Sequence, residues 1–185
     1  GAVRMAGNAA EVTSAYGASL NAGLPSTVTT AHPPQPDTPA VAIASAPGTG
    51  RITRITASAD GAAGRELDLQ SSRSDLRITI DYAVDPELPE PSVALGIADS
   101  NGLTIASATT RNDGVVLARD GRGLGSVTIT FTKLPLLKGT YRATFFLACE
   151  NAVHLYDQVD NWLVLNVSQD GIEQGLVALP HQWQP

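Results

Sequence analysis

The stretch from Lys133 to Val167 decides the fold, and it begins with Lys133-Leu-Pro-Leu-Leu-Lys-Gly-Thr-Tyr-Arg-Ala-Thr-Phe-Phe-Leu-Ala-Cys149. Between Tyr141 and Cys149, every second residue is apolar and suits one face of a strand. After a polar segment, a second alternating run, Trp162-Leu-Val-Leu-Asn-Val167, repeats the pattern. The two runs predict a hairpin with a long polar connection. Such a hairpin needs a second sheet to cover its apolar face.

Short apolar alternations recur from Arg51 onward, separated by turn signals. Asp60-Gly61 and residues 99–102 predict turns, and the prolines within residues 85–91 predict a loop because they cannot join a ladder. The predicted strands cover residues 52–59, 67–69, 76–84, 93–97, 103–108 and 127–131, with residues 115–118 as a candidate edge strand. Together with the hairpin, they predict an all-β, two-sheet antiparallel β-sandwich of immunoglobulin-like or jelly-roll topology.

The first 50 residues follow different patterns. Asn8 and Glu11 form a capping box ahead of apolar residues at helical spacing, which predicts one short amphipathic helix. Residues 21–50 are rich in proline, which predicts an extended linker. We therefore expect a helix within residues 1–20, a linker over 21–50 and the β-sandwich over 51–185.

Charge and cysteine content limit the possible partners. The formal net charge is −6 and the sequence has no basic cluster, so neither nucleic acid nor an anionic membrane surface is an expected partner. The single cysteine, Cys149, falls in the apolar set of its strand, which predicts a buried, reduced thiol. One cysteine excludes a disulfide within the monomer and favours a reducing compartment.

The sequence also carries a family resemblance. Three segments occur in a fixed order around the alternating strand: Leu134-Pro-Leu-Leu-x-Gly-x-Tyr141, Tyr156-Asp157 and Gly175-Leu-Val-Ala-Leu-Pro-His-x-Trp183. This ordered set resembles the C-terminal carbohydrate-binding domain of the Wzt-type ATPase subunit of O-antigen ABC transporters. The resemblance covers roughly residues 51–183, and it implies a cytoplasmic domain at the inner membrane that recognises the terminal end of a lipid-linked polysaccharide.

The resemblance also implies the partners. They are the O-antigen polysaccharide, an upstream ATPase domain whose last helix corresponds to residues 1–20, the transmembrane transporter subunit and a second copy of the chain. The homodimer would form through an exchanged C-terminal strand at residues 175–179, and the alternative is that this strand pairs within its own chain. A structural module that only pairs two ATPases is a competing function.

Catalytic and metal-binding patterns are weak. Neither Gly48-Thr-Gly50 nor Gly121-Arg-Gly123 matches a phosphate-binding loop, so we expect no ATP hydrolysis by these residues. The three histidines, at positions 32, 154 and 181, lack second ligands at metal-binding spacing. Asp157 and Asp160 have the chemistry of a glycosidase pair, but a spacing of three on one loop rarely places two carboxylates across a sugar bond. Asp157 with Asp160, or Asp99 with Asn101, has the oxygen ligands of a calcium site but lacks a calcium-loop pattern. We expect no catalytic residue, metal or cofactor, and a glycosidase-type sandwich is the second alternative.

The outward face of the hairpin is the predicted sugar site. If Tyr141 and its alternating partners point inward, their neighbours point outward, and exposed aromatic rings beside hydrogen-bonding groups suit a sugar ring. A neighbouring strand would supply Ala94, Gly96 and Ala98, whose small side chains would leave the face concave. The candidate residues are Arg142, Thr144, Phe146, Trp162 and Asn166 on this face, Arg77 and Asp81 at its edge, and His154, Tyr156 and Asp157 at its rim. The alternative is that a partner strand or residues 150–160 cover Phe146 and Trp162.

Overall fold

A computed structural model describes residues 49–184, which form nine β-strands and no helix. In chain order, the strands are β1 (Gly50–Ala59), β2 (Ala62–Ala63), β3 (Glu66–Gln70), β4 (Leu76–Val84), β5 (Ser92–Ala98), β6 (Thr104–Thr109), β7 (Leu124–Phe131), β8 (Gly139–Ala148) and β9 (Leu155–Ser168). The helix predicted within residues 1–20 and nearly all of the predicted linker lie outside the described residues. The three-segment division of the chain stays a prediction.

The strands form two sheets that pack face to face. The four-stranded sheet has the order β2-β1-β4-β7, and the five-stranded sheet has the order β3-β9-β8-β5-β6. Alternate residues of β4, from Leu76 to Tyr82, are buried against alternate residues of β8, from Tyr141 to Leu147, as the period-two pattern requires. The predicted all-β two-sheet sandwich is therefore confirmed.

Three details differ from the sequence prediction. β3 pairs with β9 in parallel, with Leu67 opposite Leu165, so the sheets are not antiparallel throughout. Residues 115–118 form no strand, since their one buried apolar residue, Leu117, cannot define an alternating face. β9 begins at Leu155, which leaves only residues 149–154 as the connection of the β8–β9 hairpin.

The proline-rich loop after β4 is ordered by one arginine. The guanidinium of Arg119 donates to the carbonyl oxygens of Asp85 and Pro86 at 3.2 Å, to that of Pro89 at 3.3 Å, and to that of Leu88. Prolines lack N–H groups, so this loop has few donors of its own, such as the Leu88 N–H that donates to the Asp85 carbonyl oxygen at 3.0 Å. Arg119 supplies the donors instead.

The C-terminal segment lies against the entry to β8. Val177 forms an isolated bridge with Leu136, and the Leu137 N–H donates to the Leu176 carbonyl oxygen at 3.0 Å. The Tyr141 hydroxyl lies 2.8 Å from the Leu137 carbonyl oxygen and 3.3 Å from that of Leu176. Several large apolar side chains of the segment are exposed, including Ile172, Leu179 and Trp183.

Candidate functional site

The outward face of β8 carries the central residues of the predicted site. Tyr141, Phe145 and the other inward residues of β8 are buried, which leaves Arg142, Thr144 and Phe146 on the outer face of the five-stranded sheet. The orientation predicted for these three residues is therefore confirmed. Phe146 is half-buried and Arg142 is exposed. The guanidinium of Arg142 has no hydrogen-bond or ion-pair partner among residues 49–184, so its N–H donors are open to a ligand.

β5 lies beside β8 and supplies a floor of small residues. Ala94 is opposite Phe146, Gly96 is opposite Thr144, and Ala98 is opposite Arg142. This is the strand neighbour that the sequence predicted. Because these residues have a methyl group or no side chain, the sheet surface is lower over β5 than over the flanking strands.

β6 forms the far side of this depression. Ser107 is opposite Gly96, and Thr104 is opposite Ala98. β5 therefore lies between the larger side chains of β8 and the hydroxyl-bearing side chains of β6. We call this depression the outer trough and define it by Ala94, Gly96 and Ala98 as the floor, with the outward residues of β8 and β6 as the walls. Sequence reasoning missed the β6 wall, because the order of the strands could not be read from their pattern.

Asn166 lies on the same face but on the other side of β8. Its side-chain N–H₂ donates to Glu66 Oε1 at 2.9 Å and to Asp68 Oδ1 at 3.4 Å, and its Oδ1 accepts from the Thr140 hydroxyl at 3.3 Å. These hydrogen bonds link the side chains of β3, β9 and β8. The Asn166 amide therefore stabilises this part of the sheet and has no free groups directed to the outer trough.

The expected position of Trp162 is wrong. Ala143 pairs with Leu163 and Phe145 pairs with Val159, so three residues of β9 oppose Thr144 alone and form a bulge. The bulge breaks the alternation, and the indole of Trp162 packs edge-on against the buried ring of Phe145 at a centroid distance of 6.1 Å. The Arg65 guanidinium lies 5.2 Å from the same indole. Trp162 is thus packed against the core and does not share the face of Phe146.

Arg77 and Asp81 also lie elsewhere. Both belong to β4 in the four-stranded sheet, whose outer face is on the opposite side of the sandwich. There Asp81 accepts a hydrogen bond from the Ser126 hydroxyl at 2.6 Å. The expectation that they edge the hairpin face is wrong, because their strand pairs with β1 and β7 rather than with β8.

The three rim candidates lie at the start of β9. The Ile52 N–H of β1 donates to Asp157 Oδ2 at 2.7 Å, which ties the edges of the two sheets together. His154 and Tyr156 form an edge-on aromatic pair with centroids 5.5 Å apart, and Tyr156 also packs against the core. These contacts give Asp157 and Tyr156 structural partners away from the outer trough.

Cys149 is partly exposed, so the prediction of a buried thiol is wrong. It lies just beyond β8, where the His154 N–H donates to its sulfur at 3.3 Å. Backbone N–H groups that point at the sulfur hold the pKa of the Cys149 thiol below its usual value, and His154 contributes most.

The described part of the chain holds no group of three His, Cys, Asp or Glu residues that could bind a metal ion. The carboxylate of Asp99 accepts the N–H groups of Asn101 and Leu103 at 2.9 and 2.8 Å, so it stabilises its own turn. These bonds lower the pKa of Asp99, with the Leu103 N–H as the largest contribution. Among residues 49–184 there is also no helix long and apolar enough to span a membrane.

The architecture places the chain in the class of two-sheet β-sandwich domains. The sequence profile of the Wzt C-terminal domain matches residues 44–179, and the chain belongs to this family. Its fold is similar to that in the crystal structure of the C-terminal domain of Wzt, with 11% identity and a TM-score of 0.63. That match covers 75% of this chain and 84% of the Wzt domain.

Other similarities are weaker. The structure of the Bifidobacterium dentium β-glucuronidase complexed with coumarin-3-O-glucuronide matches with 16% identity and a TM-score of 0.40, over 65% of this chain and 18% of the enzyme. A β-glucuronidase from glycoside hydrolase family 2 matches with 13% identity and a TM-score of 0.42, over 60% of this chain and 12% of that enzyme. TM-scores at this level support no statement about function. No curated protein matches the chain.

Proposed function

We propose that this chain is a non-catalytic carbohydrate-binding domain that recognises the terminal end of an O-antigen polysaccharide for export by an ABC transporter. Membership of the Wzt C-terminal domain family supports this function. The binding surface we propose is the outer trough. The observation that carries this choice is that the half-buried ring of Phe146 and the guanidinium of Arg142, which has no partner among residues 49–184, flank a floor of small residues.

The chemistry of the outer trough suits a polysaccharide. The C–H face of a sugar ring packs on an aromatic ring, while its hydroxyl groups need donors and acceptors. Phe146 offers the aromatic surface, and Arg142 offers up to five N–H donors. A strand rises about 3.3 Å per residue, and Arg142 and Phe146 are four residues apart on one face of β8. Their Cα atoms are therefore about 13 Å apart along the strand. That span fits a segment of a chain better than a single monosaccharide.

The outer face of the four-stranded sheet is a less suitable surface. Apart from Leu124, its outward residues on β1, β4 and β7 are polar or small, and within the described residues they include no aromatic ring. Part of its hydrogen-bonding capacity is used internally, as between the hydroxyls of Thr79 and Thr128, which lie 2.8 Å apart. This contrast favours the outer trough.

Substitution of Arg142 tests the site. Arg142→Ala is expected to weaken binding of polysaccharide purified from the organism that encodes this chain, by about 10-fold for the loss of a charge-assisted hydrogen bond. Arg77→Ala is the matched control, because it removes an exposed arginine from the opposite outer face. Titration of the full chain gives both affinities. Equal losses in the two variants, or no loss in either, would place the binding surface elsewhere.

The wider partners follow from the same proposal. A domain of this kind would act in the cytoplasm at the inner membrane, attached to its ATPase domain and in complex with the transmembrane subunit. Co-purification with the transmembrane subunit checks this placement. Release of reducing sugar from the purified polysaccharide by the chain would instead support the glycosidase alternative.

We also propose a homodimer that forms through the C-terminal segment. Ile172, Leu179 and Trp183 are 95%, 77% and 88% exposed, and the segment pairs with its own chain only through an isolated bridge and a few hydrogen bonds to residues 135–141. A strand that leaves so much apolar surface open is suited to exchange with a second copy. Light scattering should give twice the chain mass, and deletion of residues 172–185 should give the monomer mass. A monomer mass for both the full chain and the deletion variant contradicts the dimer.

The competing function, a structural module that only pairs two ATPases, is supported instead if the chain is a dimer but binds no polysaccharide.

A further inference from the structure

Gly96 is the one floor residue of the outer trough that has no side chain. A Cβ atom built on Gly96 would lie 3.9 Å from Cε2 of Phe146 and 3.9 Å from Cγ2 of Thr104. The ring therefore approaches from β8 and the methyl group approaches from β6, on opposite sides of β5. One added methyl group would be in contact with both walls, so it would fill the gap at this level of the trough.

Folding does not explain a glycine at this position. Gly96 is not among the glycines with positive φ, so its backbone conformation is open to any residue. The two neighbouring atoms are at ordinary van der Waals distance from the added Cβ, so a methyl group fits without displacing them. Glycine in the interior of a strand weakens the strand, and it often marks close approach of a ligand or another backbone.

We propose that the gap over Gly96 receives the edge of one sugar ring and that Gly96 determines which rings can enter. This inference rests on the proposed polysaccharide-binding function and deepens it. The ring would place its C–H groups against Phe146 and the Thr104 methyl group, and its hydroxyl groups toward Ser107, which is opposite Gly96 on β6. Because both walls are in contact range of a single methyl group, the ring edge that enters must carry no branch and no bulky substituent. β6 thereby becomes part of the binding surface.

The test is a series at one position. Gly96→Ala and Gly96→Val are made in the full chain and titrated with the purified polysaccharide of the encoding organism. Gly96→Val should weaken binding about 10-fold or more, within the roughly 5- to 150-fold range of a lost stacking contact, and Gly96→Ala should give a smaller loss. Gly96→Ala should not lower the thermal unfolding midpoint, because its one methyl group fits the gap and alanine costs less chain entropy on folding than glycine does.

Gly121→Ala is the matched control. Gly121 has no neighbouring atom within 4 Å of an added Cβ and lies in the turn before β7, so affinity should be unchanged. If wild-type chain binds but both Gly96 variants bind equally well, the inference is overturned while the proposed function stands. If Gly96→Val unfolds, the decision falls to Gly96→Ala, whose unchanged affinity would overturn the inference. If wild-type chain binds no polysaccharide, the proposed function and the inference fall together.

Discussion

The two aromatic residues expected on one face should respond in opposite ways to truncation. Phe146 faces the outer trough beside Ala94 on β5. Trp162 packs edge-on against the buried ring of Phe145, under the guanidinium of Arg65. Phe146→Ala should therefore reduce polysaccharide affinity, whereas Trp162→Ala should reduce the stability of the fold.

The magnitudes follow from these contacts. Truncation of a fully buried aromatic residue costs about 3–5 kcal/mol, and Trp162 is only partly buried, so about 2–3 kcal/mol is expected from lost packing. The cation–π contact with Arg65 adds about 0.5–1 kcal/mol. For Phe146→Ala, loss of a stacking ring should cost about 1–3 kcal/mol of binding free energy, which is roughly 5- to 150-fold in affinity. Its cost in unfolding free energy should be about 1 kcal/mol, because the ring is only half-buried.

Urea unfolding and titration with the purified polysaccharide, on the same preparations, measure both quantities. The wild-type chain is the reference. Each variant is titrated only under conditions in which its own urea curve shows at least nine-tenths of the molecules folded. This corresponds to an unfolding free energy of about 1.4 kcal/mol or more. A stable Trp162→Ala with weakened binding, together with a Phe146→Ala that binds normally, would refute the separation of the two rings. Loss of affinity in both variants at full folding would show that the bulge residues also contact the ligand.

Three further predictions concern the scaffold. Arg119→Ala should lower the unfolding free energy by about 2 kcal/mol, because the carbonyl groups of residues 85–89 lose their charged donor. Arg119→Lys should retain only part of this stabilisation, and urea unfolding measures both variants. Thr109→Val should raise the unfolding free energy by about 1 kcal/mol, since the Thr109 hydroxyl is buried and has no partner within residues 49–184; a decrease would contradict this. Burial raises the pKa of Tyr82 above its usual value near 10, so the folded state favours the neutral phenol. That contribution is complete below the unfolded-state pKa and is lost as the pH rises through the folded-state pKa, so Tyr82→Phe should flatten the alkaline loss of stability.

The sequence predicted the sandwich because its strongest signals are local. Apolar residues alternate without interruption along β8 and at Leu163 and Leu165 of β9. When one face of a sheet is buried, this period of two determines which residues face the core. The same logic placed Phe146 and Arg142 outward. Ala94, Gly96 and Ala98 were predicted as neighbours of β8 only by assuming the strand order, and the register confirms that assumption.

The misplaced residues share a non-local cause. Trp162 lies in a β-bulge, and a bulge shifts side chains without any change in the apolar pattern of the neighbouring residues. Arg77 and Asp81 were assigned to the wrong sheet because alternation says which residues share a face but not which strands are neighbours. Cys149 continues the alternation in sequence although the strand ends at Ala148, where backbone N–H groups of the following turn bond to its sulfur.

The most direct measurement is nuclear magnetic resonance mapping of the isotopically labelled chain during titration with the purified polysaccharide. If the outer trough binds the polysaccharide, the largest amide shifts should fall on β5, β6 and β8, around Gly96, Thr104 and Phe146. Shifts on the outer face of the four-stranded sheet, around Arg77 and Asp81, should be small. Saturable shifts centred on the four-stranded sheet, or confined to the loops at either end of the sandwich, would contradict the outer trough as the binding surface.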